Sequence, residues 1–328
     1  MCGMLDNYLR AFSKLRVDSN RKSWTDSTTF RSPYKPFLLL AVIDHIADGT
    51  ITSNFIEPSI ELTETWNGYI ALLPPMSRQA SMAYPFYYLK SEGFWHLRHR
   101  ADTDIEPVQP IKSIKQLRKI FYGAILNDDL FPLLQMPASR EKLRSTLIQT
   151  YFSAEIRPRL EEQAVLNYQS SEYSNELLAP KTIVPPPTTS EQTPPALHNK
   201  ARDQGFRKAI VRLYDHRCAL CGIRIITEEN HSIVDAAHIV PWAKSRDDRP
   251  TNGMALCKLC HWSFDVGLMA VGKEYEVLVS PSVKHDANLP GHILALSDRP
   301  IFRPSDSTYW PAHENFKWHR NQRFKKSY

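Results

Sequence analysis

This 328-residue chain has no apolar run long enough to enter a membrane. Its longest, Pro36-Phe-Leu-Leu-Leu-Ala-Val-Ile43, ends at Asp44. Roughly 20 apolar residues are needed to cross a bilayer, so the run reads as a buried helix. The opening residues, Met-Cys-Gly-Met-Leu-Asp-Asn-Tyr, lack a basic stretch followed by an apolar one. No secretion signal is expected, and the cytoplasm is the expected compartment. Cysteine is scarce: there are five, and four of them form two Cys-x-x-Cys pairs. Thiols committed to a metal rather than to bridges suit a reducing cytosol, and Cys2 is left over. No internal repeat is present. Nor is the composition that of a disordered chain, since 42% of residues are hydrophobic and 11% aromatic. The length allows two domains, each with its own core.

Net charge is missing from the first part of the chain. Residues 1–199 hold 21 Lys+Arg and 21 Asp+Glu, whereas residues 200–328 hold 20 and 14, so the whole +6 sits there. A basic excess of this kind suits a polyanionic ligand such as nucleic acid. Residues 168–199 carry six prolines among Ser, Thr, Gln and Glu. Such a segment buries too little apolar surface to fold and favours an extended spacer. The expected organisation is a recognition domain over 1–167, a Pro-rich linker over 168–199 and a second domain over 200–328.

The expected fold class is α+β. In the first domain, apolar periodicity predicts helices near Leu5–Leu15, over Phe37–Ile46, and over Ser113–Tyr122, Ala124–Leu134, Ser139–Phe152 and Glu155–Leu166. Tyr84–Leu89 and Phe94–Arg98, around a Gly-containing turn, read as a small β-hairpin. In the second domain a basic helix over Gly205–Tyr214 leads to a strand reaching His238. A helix then starts at Cys257 and stops at Gly267, and a hairpin follows over Leu268–Val271 and Tyr275–Val279.

The pairs Cys218/Cys221 and Cys257/Cys260 let four sulfurs face one ion, the ligand set of a structural zinc. His238, Asn252 and His261 form a second polar set that a zinc ribbon does not need. Cleaving a phosphodiester requires an activated water, a Lewis acid beside the phosphate and a scaffold that aligns them. His238 can take the proton from water, and His261 can bind a divalent ion, with Mg2+ or Mn2+ expected. Asn252 can pin the loop so that His238 points correctly.

Cys-x-x-Cys, Ala-Ala-His-Ile-Val-Pro-Trp, Thr-Asn-Gly-Met-Ala-Leu-Cys and Cys-His-Trp-x-Phe-Asp resemble the HNH endonucleases with a ββα-metal site. The segment Phe316-Lys-Trp-His-Arg-Asn-Gln-Arg-Phe324 resembles the branch fused to restriction-type targeting domains. The resemblance spans roughly residues 205–324. It implies His238 as general base, Asn252 as the loop-fixing residue and His261 as ligand of the catalytic metal. Many members carry Asp or His just before the base, as the other metal ligand, where this chain has Ala237. Asp235 is the nearest carboxylate, but positions 235 and 238 face opposite sides of an unbroken strand. A bulge would bring Asp235 round to the metal. Otherwise His261, phosphate and water hold it.

In the first domain, Ser32-Pro-Tyr-Lys-Pro-Phe-Leu-Leu-Leu40, Tyr84-Pro-Phe-Tyr-Tyr-Leu89 with Gly93-Phe-Trp95, and Tyr151-Phe-Ser-Ala-Glu-Ile156 resemble the sulfur-binding domain. Type IV restriction enzymes use that domain to find phosphorothioate-modified DNA. The resemblance implies a sulfur site at Tyr34, Lys35, Tyr84 and Pro85, although the family usually has His where Tyr34 stands. A cavity of aromatic and pyrrolidine faces accepts a soft, poorly hydrated sulfur and penalises a hydrated oxygen. Lys35 would meet the charge of the linkage, while Arg31, Arg78 and Arg98 are available for phosphates or guanine edges. The expected protein is a modification-dependent restriction endonuclease of host defence, acting on double-stranded DNA, and a homodimer because both strands must be cut. The rival expectations are an HNH enzyme directed by a methylated base or by sequence alone, and a noncatalytic zinc-ribbon regulator.

Overall fold

The computed structural model describes residues 2–74, 81–100, 110–179, 195–284 and 291–326. Two compact units are present, one of Met1–Tyr168 with Thr227–His231 and one of Gln169–Ile226 with Ser232–Tyr328. Among the described residues, helices and three two-stranded antiparallel sheets give an α+β fold. Among the described residues no helix is long and apolar enough to cross a membrane.

The first unit contains α1 (Cys2–Ser13), α2 (Tyr34–Ala47), α3 (Ile60–Ile70), α4 (Ala83–Tyr88), β1 (Trp95–His99), α5 (Ile114–Ile120), β2 (Phe121–Leu126), α6 (Leu130–Gln135), α7 (Pro137–Tyr151) and the start of α8 (Arg157–Leu178). Helix α2 is buried from Lys35 to Ile46 and forms the centre of the core. Asp44 ends the apolar run but not the helix. Its buried carboxylate pairs with Arg144 at 2.7 Å and accepts hydrogen bonds from Tyr69 and Asn167, both at 2.7 Å. A charge is tolerated there because these partners replace its water.

Three expectations are corrected. Tyr84–Leu89 is not a strand but lies in α4 and the 3-10 turn that follows. Tyr84 and Tyr88 are exposed four residues apart while Pro85, Phe86 and Tyr87 between them are buried, a helical rather than an alternating period. The partner of β1 is instead β2, whose residues fell at the ends of two predicted helices. Its Phe-Tyr-Gly-Ala-Ile-Leu sequence combines strand-forming side chains with a glycine that weakens a helix. Helix α8 continues through Tyr168 to Leu178, and α9 (Pro195–Leu213) begins before Asn199. Both ends of the segment read as linker are therefore helical.

The second unit adds β3 (Val234–His238), α10 (Trp242–Ser245), β4 (Gly253–Cys257), α11 (Lys258–Asp265), β5 (Met269–Val271), β6 (Val277–Val279), α12 (Pro281–Lys284), α13 (Gly291–Leu294) and α14 (His313–Gln322). The strand, loop, strand and helix over Val234–Asp265 are packed beneath α9 and against α14 by a core that includes Phe206, Ile210, Met254, Phe264 and Phe316.

Candidate active site

Strands β3 and β4 pair without interruption, Val234 opposite Cys257 and His238 opposite Gly253. One end of the ribbon therefore carries a cysteine of the metal set and the other carries the histidine. At Gly253 a Cβ would collide with Ile210 of α9, so the helix can lie this close only over glycine. That approach lays the Phe206 ring flat on the His238 imidazole, with centroids 3.9 Å apart and planes at 7°. The ladder contains no bulge. Asp235 thus stays on the opposite face from His238, exposed and paired with Arg207 at 2.9 Å, and its expected role as metal ligand is not supported.

His238 Nε2 lies 2.7 Å from Asp248 Oδ1. Sequence reading missed Asp248, because Asp247 beside it is equally acidic and only the folded loop turns one of them inward. The Asp248 side chain is 5% exposed. Its other oxygen accepts from Tyr173 Oη and Arg202 Nη1, both at 2.8 Å. Burial pushes this carboxyl up, but hydrogen bonds from His238 and Tyr173 and the charge of Arg202 together outweigh burial and hold it below the ordinary value. Its contribution to stability is therefore present above the unfolded carboxylate range and is lost as pH falls through the lowered folded value. With the carboxylate ionised, Nε2 of His238 carries the donated proton and Nδ1 presents a lone pair.

The Asn252 amide is fully buried. Its Oδ1 accepts from the Val240 N–H at 2.9 Å, and its Nδ2 donates to the Val240 and Asp247 carbonyls at 3.0 and 2.9 Å. The Ile239 N–H donates to its main-chain carbonyl at 2.9 Å. Every polar group of the side chain thus ties together the loop between His238 and Asp248. This is the geometry of a loop-fixing residue.

A cleft of about 370 Å³ opens beside His238, with Trp242, Asp265, His319 and Arg323 among its walls. His261 is not in that lining. It stands one turn earlier on α11, with Nε2 3.5 Å from Asp265 Oδ2, and both side chains are partly exposed. An imidazole nitrogen and a carboxylate oxygen at this spacing fit a divalent ion. His319, on α14, is 2% exposed and stacks on Phe264 at 3.6 Å. Burial, helped by the nearby charges of Arg323 and Arg320, lowers its pKa to about 4 against the opposing hydrogen bond to the Phe264 carbonyl. Near neutrality it is an uncharged donor to that carbonyl, at 2.9 Å.

The ligand atoms of Cys218, Cys221, Cys257 and Cys260 all lie within 4.8 Å of one another, and Sγ of Cys221 and Cys257 are 3.8 Å apart. Four thiolates about 2.3 Å from a tetrahedral zinc have edges of about 3.8 Å, so the set fits that ion. Among the described residues it is the one such group of His, Cys, Asp and Glu side chains. Cys257 closes β4 and Cys260 lies in the first turn of α11, which fixes the helix that carries His261.

In the first unit, a concavity of about 480 Å³ gathers Tyr34, Lys35, Tyr84 and Pro85, four residues singled out from sequence. Trp24 and Tyr88, which the sequence did not mark, join them, and Asp18, Ser32, Ser81 and Ser91 add polar groups to the wall. Trp24 meets Tyr34 edge to face at 5.3 Å, and Tyr88 stacks with Tyr84 at 6.4 Å. Lys35 does not offer a spare charge. Its ammonium is ion-paired with Glu92 and donates to the Arg16 carbonyl at 2.9 Å and Ser91 Oγ at 3.1 Å, a correction to its expected role on the DNA linkage. Arg16 lines the concavity, whereas Arg31 and Arg98 are exposed outside it. Arg78 lies outside the described residues.

Residues 218–272 match the family model of the HNH endonucleases. These residues, about a sixth of the chain, carry the HNH endonuclease pattern. Among solved structures the chain is similar to the modification-dependent TagI restriction endonuclease, with 22% sequence identity and a TM-score of 0.27. The similarity covers 36% of this chain and spans 37% of that one. No curated protein matches.

Proposed function

We propose that the protein is a type IV restriction endonuclease that recognises phosphorothioate-modified double-stranded DNA through residues 1–167 and cuts nearby phosphodiesters through residues 200–328. The observation that carries the targeting half is the concavity formed by Trp24, Tyr34, Tyr84, Pro85 and Tyr88. Its aromatic and pyrrolidine faces suit a weakly hydrated sulfur, and Arg16 in the same lining can meet the charge of the linkage. Its volume exceeds what one sulfur requires, which favours as second reading a methylated base turned out of the duplex. Cutting both strands calls for two active sites, and a homodimer supplies them.

In the cutting half, His261 with Asp265 would hold a divalent ion, which supplies Lewis-acid stabilisation of the phosphate. His238 acts as general base through Nδ1, since Nε2 is engaged by Asp248. Asp248 fixes the tautomer and stabilises the imidazolium once the proton has moved. Phe206 restrains the ring and Asn252 holds the loop. Asp248→Asn is expected to slow single-turnover cleavage by about 10–100-fold, the usual cost of an orienting partner, while leaving the zinc content unchanged. A rate equal to wild type would remove Asp248 from the mechanism.

The targeting reading is tested with the full-length His238→Ala variant, which is expected to bind without cutting. At matched salt it should bind a phosphorothioate duplex at least about tenfold more tightly than the unmodified duplex, a difference of about 1.4 kcal/mol. Equal affinities would eliminate the sulfur reading. Preference for a methylated duplex would replace it with the second.

A further inference from the structure

Helix α14 brings a cation into the cleft that the mechanism above does not use. Arg323 is the one arginine among the described cleft-lining residues. Arg246 stacks on the cleft-lining Trp242 at 3.9 Å, and other nearby arginines are paired. Arg202 pairs with Asp248, Arg207 with Asp235 and Arg249 with Asp247, and Arg320 donates to the Val271 carbonyl. The Arg323 side chain is exposed and has no hydrogen-bond or ion-pair partner among the described residues, although Asp265 lines the same cleft.

Its backbone, in contrast, is tightly held. The Arg323 N–H donates to the His319 carbonyl at 2.9 Å, and His319 is itself buried against Phe264. Gly267, at φ 78°, sits directly against the Arg323 carbonyl, where any Cβ would collide with it. The Lys325 N–H returns to the Gly267 carbonyl at 3.0 Å, and Ser280 Oγ holds the Lys325 carbonyl at 2.8 Å. A fixed main chain with an uncommitted guanidinium is a pre-organised anion ligand, because little backbone entropy is lost on binding.

We infer that Arg323 binds the non-bridging oxygens of the DNA phosphate presented to His238. The inference rests on reading the cleft as the nuclease site. A planar guanidinium can donate two parallel hydrogen bonds to a phosphate. It also opposes the charge that builds on those oxygens as water attacks. The electrostatics agree: His238 and Asp265 give the cleft a base and an anion, and Arg323 is the cationic side chain among the described residues of its lining.

The test compares full-length wild type, Arg323→Ala and Arg323→Lys in two measurements. In single-turnover cleavage with Mn2+, Arg323→Ala should be about 10–100-fold slower, as expected for one lost charge-assisted contact. Arg323→Lys should recover most of that loss. In duplex binding, the slope of log affinity against log salt should fall by about one for the alanine variant. Zinc content and melting temperature should match wild type in both. An alanine variant within twofold of wild type, with an unchanged salt slope, overturns the inference. So does a lysine variant no better than alanine. A wild-type protein that cuts no duplex would instead defeat the nuclease reading, and the salt slope, which needs no cleavage, would still decide whether Arg323 meets phosphate.

Discussion

His238→Ala should lower single-turnover cleavage by about 10²–10⁴-fold, the range supplied by a positioned general base, while duplex binding and zinc content stay at wild-type levels. The separation follows from where the side chain sits. His238 closes the last pair of an unbroken ladder, so its main-chain partners are retained when the ring is removed. What is lost locally is one stacked contact with Phe206, worth about 0.5–1.5 kcal/mol, and one partner of Asp248. That carboxylate keeps Tyr173 and Arg202, so no buried charge is stranded. Wild-type cleavage by the alanine variant would exclude His238 as the base. Loss of both binding and folded structure would show that the residue is architectural.

Cys257→Ser should have the larger structural effect. About one tightly held zinc per chain is expected by elemental analysis, and the variant should lose it together with the folded second unit. Structural zinc contributes about 10–16 kcal/mol of apparent binding free energy, comparable to or greater than the whole stability of a typical domain, about 5–15 kcal/mol. Cys257 is at once the end of β4, the cap of α11 and the partner of Val234, so the ion fixes strand to helix. Chelation should accordingly act in two phases. Removal of the catalytic divalent ion is reversed by adding Mg2+, whereas removal of zinc is not. A folded, active protein that contains no zinc would refute the assignment.

The metal unit was largely legible in the sequence because its constraints are local. A Cys-x-x-Cys spacing dictates a knuckle, and the strand ending at His238, the helix from Cys257 and its stop at Gly267 all lie where patterning places them. Asp248 was not legible, since its meaning depends on three side chains from distant parts of the chain, His238, Tyr173 and Arg202. Arg323 escaped notice for the same reason. In the first unit the aromatic residues of the concavity could be picked out by type, but not their setting. Tyr84 and Tyr88 share an exposed helix face while Phe86 between them is buried, where a strand would have put all three on one face, and the Lys35–Glu92 pair joins residues far apart in sequence. Strand β2 was hidden because its pairing with β1, which decides its state, is non-local.

The meeting of Gly267 with Arg323 has a consequence for biosynthesis. During translation the hairpin, the zinc ligands and His238 emerge well before α14, and domains fold largely in the order they are made. A nascent chain that has reached Val279 has its four cysteines and His238 but lacks α14, which supplies His319 and Arg323 to the cleft and Phe316 to the core. On the proposed function, cutting should therefore appear only once α14 has docked.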